Sequence, residues 1–331
     1  MGWYRAVARP LFFALPPEAS HRLAHRLLGL RLPWDRLGGV ARDPGLRTSI
    51  AGLELENPIG LAAGFDKTGA RADALGRLGF GYVVAGTFTR RPRAGNPKPR
   101  IARDRDLASL VNAMGLPNPG AEVAAATLAR ARRPAPVLAS IADEAIGDAA
   151  ECHALLEPHV DAIELNASCP NVSWGRDRDN EAHLSELLVA LSSRRRPLFV
   201  KLPPFATPVE REVVLALARI AVDGGADGLT CSNTRPVVDR RLATGVGGLS
   251  GRALIDGTVA NVRDVVEATR DAVPVNACGG VASPGQAWAC LRAGARTVQV
   301  YTGLIYRGPG VVGELTSGLA RELRARADVA A

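Results

Sequence analysis

The fold is decided by residues 58–89, which read PIGLAAGFDKTGARADALGRLGFGYVVAGTFT. This segment begins with an apolar run at 58–64, continues through an Ala/Leu/Arg-rich helical stretch at 70–78, and ends in a second apolar run at 82–89. A strand, a helix and another strand in this order predict two parallel strands joined by a helical crossover.

The same unit recurs along the chain. Eight β-rich apolar runs occupy residues 58–64, 82–89, 137–142, 162–168, 198–203, 228–234, 273–280 and 297–305. Helical segments occupy residues 70–78, 121–131, 148–156, 181–191, 208–223, 253–268, 284–293 and 313–325. Eight strand–helix units predict an α/β protein with a closed (β/α)₈ TIM barrel rather than an open sheet. The length of 331 residues fits one such barrel with an appendage.

Two segments lie outside the eight units. Residues 48–56 predict a strand–turn–strand, with Ala51-Gly52 at the turn, placed to close the bottom of the barrel. Residues 3–15 and 18–30 predict two short helices separated by Pro16-Pro17. We therefore divide the chain into a small N-terminal two-helix extension, residues 1–40, and a barrel, residues 41–331.

The two predicted helices are amphipathic and basic. Their apolar stripes consist of Trp3, Val7, Leu11 and Leu15 on the first helix, and Leu23, Leu27, Leu28 and Leu30 on the second. Four arginines flank these stripes: Arg5, Arg9, Arg22 and Arg26. Such a pair is typical of a membrane interface, and packing against the barrel or a dimer partner is the alternative. The sequence contains no run of 18 apolar residues, so we predict no transmembrane helix.

The bulk composition excludes several classes of function. The net charge is +8, but the arginines are dispersed and no dedicated nucleic-acid-binding module accompanies them, so we expect no nucleic-acid partner. The five cysteines lack CxxC spacing and paired histidine ligands, which argues against a zinc or iron–sulfur site and against a disulfide framework. We expect reduced thiols, a cytoplasmic setting and no metal.

Polar residues collect where the predicted strands end, which is the active-site face of such a barrel. This mouth gathers two lysines, four asparagines and one cysteine: Lys67, Lys201, Asn112, Asn166, Asn171, Asn233 and Cys169. Without a carboxylate pair or a histidine, it excludes the usual glycosidase and histidine–carboxylate metal sites. Asparagines suit a flat imide or amide ligand, and lysines suit an anion.

The last two strand ends predict a phosphate site, and one cysteine is the candidate acid–base group. Gly279-Gly280 and Tyr301-Thr302-Gly303 would present backbone N–H groups where many barrels bind phosphate. Cys169 follows a strand end, and a nearby cation would bring its thiol into working range. The other four cysteines are interpreted as small buried side chains.

Ordered motifs over nearly the whole chain resemble the dihydroorotate dehydrogenase family. They are 61–67 (LAAGFDK), 86–87 (GT), 95–100 (GNPKPR), 112–115 (NAMG), 166–171 (NASCPN), Lys201, Asn233-Thr234, 247–251 (GGLSG), 279–280 (GG) and 301–303 (YTG). The resemblance implies FMN-dependent oxidation of (S)-dihydroorotate to orotate in pyrimidine biosynthesis. It implies that Cys169 removes the C5 proton while hydride leaves C6 for flavin N5.

The resemblance also implies which residues bind. The residues implied for the substrate are Lys67, Asn112, Asn166, Asn171, Asn233 and Thr234. Those implied for FMN are Ala63, Gly64, Thr87, Ser140, Asn166, Lys201, Ser232, Gly251, Gly280, Tyr301 and Thr302, with Lys201 near the electron-rich edge of the flavin.

The motifs combine two branches of that family. The N-terminal helices, with Pro17-Glu18 and His21, resemble the quinone-reducing branch, peripheral on the inner face of the cell membrane, in which His21, Arg103 and Tyr301 would line a quinone tunnel. Cys169 instead matches the base of the soluble branch, and Ser140 stands where the membrane branch has an FMN-binding asparagine.

Several alternatives stay open at this point. One is a soluble-type enzyme that uses fumarate or NAD, and another is a paralogue acting on a related dihydropyrimidine. More distant are a flavoenzyme similar to tRNA-dihydrouridine synthases and a flavin-binding protein without catalysis. The oligomeric state, monomer or homodimer, also stays open.

Overall fold

The computed structural model describes residues 2–167 and 180–330, and its centre is a closed parallel barrel. In chain order the strands of this part of the chain are β1 (Thr48–Ile50), β2 (Leu53–Leu55), β3 (Ile59–Asp66), β4 (Tyr82–Phe88), β5 (Ile101–Asp104), β6 (Ser109–Asn112), β7 (Val137–Ile141), β8 (Ala162–Asn166), β9 (Leu198–Leu202), β10 (Gly228–Cys231), β11 (Arg235–Val238), β12 (Val246–Gly251), β13 (Val275–Cys278) and β14 (Thr297–Val300). The barrel order is β3-β4-β7-β8-β9-β10-β13-β14, with β14 returning to β3. Each of the eight predicted runs overlaps one barrel strand, although residues 302–305 of the last run are helical, so the (β/α)₈ prediction is confirmed.

Helices follow the barrel strands as predicted, and further helices precede the barrel. They are α1 (Arg9–Ala14), α2 (Pro17–Leu28), α3 (Trp34–Gly38), α4 (Ala72–Arg77), α5 (Ala121–Leu128), α6 (Ile146–Leu156), α7 (Asn180–Ala190), α8 (Pro208–Asp223), α9 (Ile255–Ala268), α10 (Pro284–Arg292), α11 (Thr302–Arg307) and α12 (Val311–Ala330). Helix α8 begins where the local sequence requires it, because Thr207 and Glu210 form a reciprocal capping box and Pro208 occupies the first turn.

The predicted strand–turn–strand forms an antiparallel hairpin of β1 and β2, in which Thr48 pairs with Leu55. Its buried residues Ile50 and Leu55 belong to one apolar cluster with Tyr82, Leu138 and Phe199, which stand near the starts of their barrel strands. The hairpin therefore closes the amino-terminal end of the barrel, opposite the end where the predicted site residues stand.

A second sheet, which the sequence analysis did not predict, lies at the carboxyl-terminal end of the barrel strands. It is antiparallel, with the order β11-β12-β6-β5, and its strands come from the segments after β4 and after β10. No strand is predicted from the sequence for either segment. Pairing of Gly248 with Asn112 brings a predicted site residue to the edge of the barrel mouth.

The N-terminal arm consists of a π-helical turn (Tyr4–Ala8), α1 and α2, which confirms the two predicted helices. It is attached to the mouth by an ion pair in which the buried Arg100 donates to Glu18 at 2.9 and 3.2 Å. Tyr4 adds a hydrogen bond to the carbonyl of Ile305 at 2.8 Å. In the described part of the chain no helix combines the length and apolarity needed to cross a bilayer. The domain division at residue 40 stays a prediction.

Candidate active site

One cavity of about 520 Å³ extends from the arm helices to the floor of the barrel mouth. Fifteen of the residues predicted for the site line it: His21, Ala63, Gly64, Lys67, Thr87, Arg103, Asn112, Asn166, Lys201, Asn233, Thr234, Gly251, Gly280, Tyr301 and Thr302. They come from the arm, the second sheet and the ends of most barrel strands. The fold thus joins the residues predicted for substrate, cofactor and quinone in a single space.

Four predicted residues do not appear in this lining. Ser140 is fully buried behind it, with its Oγ 3.0 Å from Oγ1 of Thr87. Ser232 is buried and faces a separate, smaller cavity that also touches Asn233. Cys169 and Asn171 lie outside the described residues.

A chain of side-chain amides crosses the cavity wall. Asn233 Nδ2 donates to Asn166 Oδ1 at 3.3 Å, and Asn166 Nδ2 donates in turn to Thr87 Oγ1 at 3.3 Å. Asn233 Oδ1 also accepts from the backbone N–H of Thr234 at 2.8 Å. These bonds fix which atom of each amide is donor and which is acceptor, as recognition of a flat imide requires.

Lys67 supplies a cation beside this chain of amides. It follows β3, and its Nζ donates to the carbonyl of Gly64 at 2.6 Å. Burial lowers the pKa of Lys67 to about 8, and the positive charge of Arg100 acts in the same direction. The ammonium is therefore mostly protonated at neutral pH, and it can pair with the carboxylate of an anionic ligand.

Lys201 is a second, more deeply enclosed lysine at the floor of the cavity. It is the fourth residue of β9 and is only 4% exposed. Its Nζ lies 3.7 Å from Oε1 of the buried Glu164. Burial works to lower the pKa of Lys201, but Cys278 and Glu164 outweigh it and hold that pKa above its ordinary value. Lys201 therefore presents an ammonium group to the floor of the cavity, with the Glu164 carboxylate beside it.

Two glycines of the cavity lining are required by their backbone conformation and surroundings. Gly280 has a φ of +79°, and a Cβ added there would lie 2.7 Å from the backbone nitrogen of Ile255. Gly251 has a φ of +99°, and its added Cβ would lie 2.6 Å from the carbonyl oxygen of Ala108. Larger residues do not fit at either position. Glycine backbone together with Thr302 and Lys201 suits the phosphate and the polar edge of a flavin mononucleotide.

Aromatic and imidazole rings connect the arm to the mouth. His21 of α2 lies edge-on to Phe65 at 5.5 Å between ring centroids, and Phe65 contacts Tyr301 at 5.8 Å. His25, one helical turn after His21, donates from Nε2 to the carbonyl of Phe65 at 2.9 Å. Burial and then Lys67 lower the pKa of His21 to about 2, so its imidazole is neutral. Phe65 and His25 were missed at the sequence level, although the i, i+4 spacing of the two histidines places them on one helix face.

Arg103 contacts the arm at the edge of the cavity lining. Its guanidinium donates to the carbonyls of Phe13 and Leu15 at 3.3 and 2.9 Å and to Ser20 Oγ at 2.8 Å. It also stacks over the ring of Phe13 at 4.5 Å. Arg103 therefore holds the turn between α1 and α2 against the second sheet, together with Arg105, which donates to the carbonyl of Phe13 at 2.7 Å.

Within residues 2–167 and 180–330, no three side chains of His, Cys, Asp or Glu are grouped so that they could hold a metal ion. Four cysteines of that part of the chain are free thiols: Cys152, Cys231, Cys278 and Cys290.

Comparison with known proteins gives one family. The family model described as dihydroorotate dehydrogenase matches residues 45–323. The chain is 40% identical over 342 residues to "Dihydroorotate dehydrogenase (quinone)" of Rhodospirillum rubrum, covering 98% of this chain and 91% of the relative. It is 41% identical to the protein of that name from Anaeromyxobacter sp., covering 94% and 91%. The crystal structure of DHODH from Eimeria tenella in complex with ferulenol superposes with a TM-score of 0.84 at 30% identity, covering 94% of this chain and 92% of that one.

Proposed function

The chain belongs to the dihydroorotate dehydrogenase family, and we propose that it oxidises dihydroorotate to orotate with bound FMN and passes the electrons to a quinone. The observation that carries this proposal is the single cavity, which joins an amide-lined, lysine-containing mouth to an apolar space under the N-terminal arm. Relatives named as quinone-dependent enzymes match the arm as well as the barrel, since the similarity covers 98% of this chain.

In this proposal the mouth binds the pyrimidine ring. Lys67 pairs with the substrate carboxylate, while Asn112, Asn166, Asn233 and Thr234 bond to the ring amides. Cys169 is the proposed base that takes the C5 proton, and Asn171 the proposed fourth amide. Support comes from the hydrogen bonds that orient Asn166 and Asn233.

Bound FMN supplies the two-electron acceptor for this oxidation. We assign its polar edge to Lys201, Thr87 and Asn166, and its phosphate to Gly251, Gly280 and Thr302; the remaining contacts proposed are Ala63, Gly64 and Tyr301. Ser140 would act on the cofactor through Thr87, to which it is hydrogen-bonded at 3.0 Å. A cofactor contact for Ser232 stays a prediction.

The quinone is assigned to the arm end of the cavity. That end is lined by apolar side chains of the arm, including Phe12, Leu27 and Leu28. His21, Arg103 and Tyr301 are the proposed polar lining, and the neutral imidazole of His21 suits an uncharged quinone ring. An apolar, partly aromatic space favours a quinone over the dianion fumarate.

We further propose that the arm lies on the inner face of the cell membrane, with the barrel in the cytoplasm. Part of its apolar surface is exposed, with Trp3 at 50%, Leu11 at 67% and Leu30 at 52%, whereas Leu27 and Leu28 line the cavity. Arginines beside an exposed apolar stripe suit the anionic lipids of such a surface.

The proposal is tested on the substrate half-reaction. The purified protein should contain FMN, and anaerobic addition of dihydroorotate should bleach the flavin absorbance. A Cys169→Ala variant should retain flavin and bind orotate but bleach far more slowly, whereas Cys169→Ser should retain a residual rate with a shifted pH profile. A flavin-containing protein that dihydroorotate leaves oxidised would overturn the proposal, and normal bleaching by Cys169→Ala would remove Cys169 from it.

A further inference from the structure

A polar layer fills the barrel interior just below the cavity floor. Glu164 in the middle of β8 is fully buried, and its Oε2 accepts from Thr230 Oγ1 at 3.0 Å and from Gln299 Nε2 at 3.4 Å. Its other oxygen, Oε1, has no hydrogen-bond partner within the described residues and points to Lys201 at ion-pair distance. Oε2 of the carboxylate thus accepts hydrogen bonds from neutral donors, whereas Oε1 faces the charged group of Lys201.

The strand register explains why Glu164 lies behind Lys201. Asn166 pairs with Lys201 across β8 and β9, and Glu164 precedes Asn166 by two residues on the same face. Asn166 and Lys201 line the cavity, whereas Glu164 lies one layer deeper. The carboxylate therefore contacts the lysine from below without reaching the cavity.

Stability alone does not account for this carboxylate. Burying an ion pair costs desolvation that its attraction often fails to recover, and apolar residues of similar volume generally serve a core as well. A buried carboxylate directly behind a lysine of the site therefore points to a role in setting the charge of that lysine.

Other titratable groups near Lys201 do not replace Glu164. Cys278 of β13 is in contact with Lys201 and raises the pKa of that lysine only when its thiol is ionised, and burial raises the pKa of the Cys278 thiol itself. Tyr82 of β4 is fully buried, hydrogen-bonds to Thr297 Oγ1 at 2.8 Å, and likewise has a raised pKa because of burial. Glu164 is the anion that faces the ammonium.

We propose that Glu164 is a positioning residue that keeps Lys201 protonated while the flavin is oxidised. The inference rests on the proposed function, in which Lys201 faces the flavin. Two electrons from dihydroorotate and one proton convert FMN to its reduced anion, whose charge Lys201 balances. Since Lys201 already holds its proton, reduction takes up one proton and not two.

Removing the charge of Glu164 should change the number of protons taken up when the flavin is reduced. In Glu164→Gln, Lys201 is buried without a counter-ion, and burial alone can lower a lysine pKa to about 5 to 6. The lysine is then neutral beside oxidised FMN and gains its proton only when the reduced anion forms. Two electrons are accompanied by two protons, one on the flavin and one on Nζ.

The test is the pH dependence of the midpoint potential of the bound flavin, measured against reference dyes from about pH 6.5 to about pH 8.5. For a two-electron couple, each proton taken up on reduction shifts the midpoint potential by about 30 mV per pH unit. The native protein should show a slope of about 30 mV per pH unit and Glu164→Gln about 59 mV per pH unit. Thr230→Val, which removes one hydrogen bond to Glu164 but keeps both charges, is the matched control and should retain the native slope.

Each outcome decides between the claims. Equal slopes in FMN-loaded native protein and Glu164→Gln overturn this inference and leave the proposed function intact, whereas a protein without FMN removes the proposed function itself. If Glu164→Gln does not fold, the double variant Glu164→Gln/Lys201→Met is examined by thermal unfolding. If the double variant folds, the inference is supported, because the unpaired buried ammonium of Lys201 is then what destabilised the single variant. Failure of both overturns it, since the carboxylate is then needed by the barrel and not by the lysine.

Discussion

Lys67 should make the affinity for an anionic ligand depend on pH. Burial and Arg100 lower its pKa to about 8, so the ammonium loses its proton just above neutrality. Because the carboxylate of orotate pairs with the protonated form, the dissociation constant should rise as the pH increases. The protonated fraction of a group with a pKa of about 8 falls about tenfold between about pH 7 and about pH 9, and the affinity should fall by the same factor.

Isothermal titration of orotate into the FMN-loaded protein measures this effect. The matched control is Lys67→Arg, because a guanidinium stays charged throughout this range. The variant is expected to bind more weakly, since the larger group must fit where Nζ bonds to Gly64, but its affinity should vary little with pH. Any slope that remains in the variant belongs to the ligand or to other groups. The same pH dependence in both proteins would refute the assignment of Lys67 as the carboxylate partner.

Four further outcomes are expected. Gly280→Ala should lower the FMN content per chain, measured by absorbance, because its Cβ would lie 2.7 Å from Ile255 N in a left-handed backbone conformation. Arg103→Leu should slow flavin reoxidation by a quinone analogue but not its reduction by dihydroorotate, as stopped-flow mixing would reveal. Leu11→Asp should weaken binding to anionic vesicles by roughly tenfold or more in co-sedimentation, since an exposed leucine of the arm no longer enters the interface. Phe199→Ala should destabilise the fully buried bottom of the barrel by about 3 to 5 kcal/mol in denaturant unfolding.

The barrel could be predicted from the sequence because each strand–helix unit has a recognisable local pattern of apolar and polar residues. Apolar runs of strand length alternate with helical segments. The start of α8 is also marked in the sequence, by the capping residues Thr207 and Glu210 and by Pro208 in the first turn. Only the boundaries shift, as where the run 273–280 yields a strand of four residues, Val275–Cys278. Strand ends are set by tertiary hydrogen bonds, which a local pattern does not contain.

The second sheet could not be predicted in the same way. Its strands β5, β6 and β11 have four residues each, β11 contains Pro236, and β12 begins with Val246 followed by two glycines. Both residue types are unfavourable in strands. Pairing between residues as distant as Asn112 and Gly248 stabilises this sheet, and such long-range partners leave no local pattern.

Most of the candidate site follows from chain order because the carboxyl ends of parallel barrel strands converge. What the order does not reveal is the direction of each side chain in a strand buried on both faces. Ser140 therefore lies behind Thr87 and not in the cavity lining. Glu164 stands inside an apolar run, and the run alone does not indicate that its carboxylate faces a lysine of the site. His25 was missed because its partner, the carbonyl of Phe65, belongs to the barrel.

The central claim is that one cavity couples dihydroorotate oxidation to quinone reduction, and double-mixing stopped-flow spectroscopy tests it most directly. The flavin is first reduced anaerobically with dihydroorotate, and the reduced protein is then mixed separately with a ubiquinone or menaquinone analogue, with fumarate and with NAD. We expect the quinone analogue to restore the oxidised flavin spectrum rapidly, while fumarate and NAD leave it bleached. Reoxidation by fumarate or NAD but not by the quinone analogue would contradict the account.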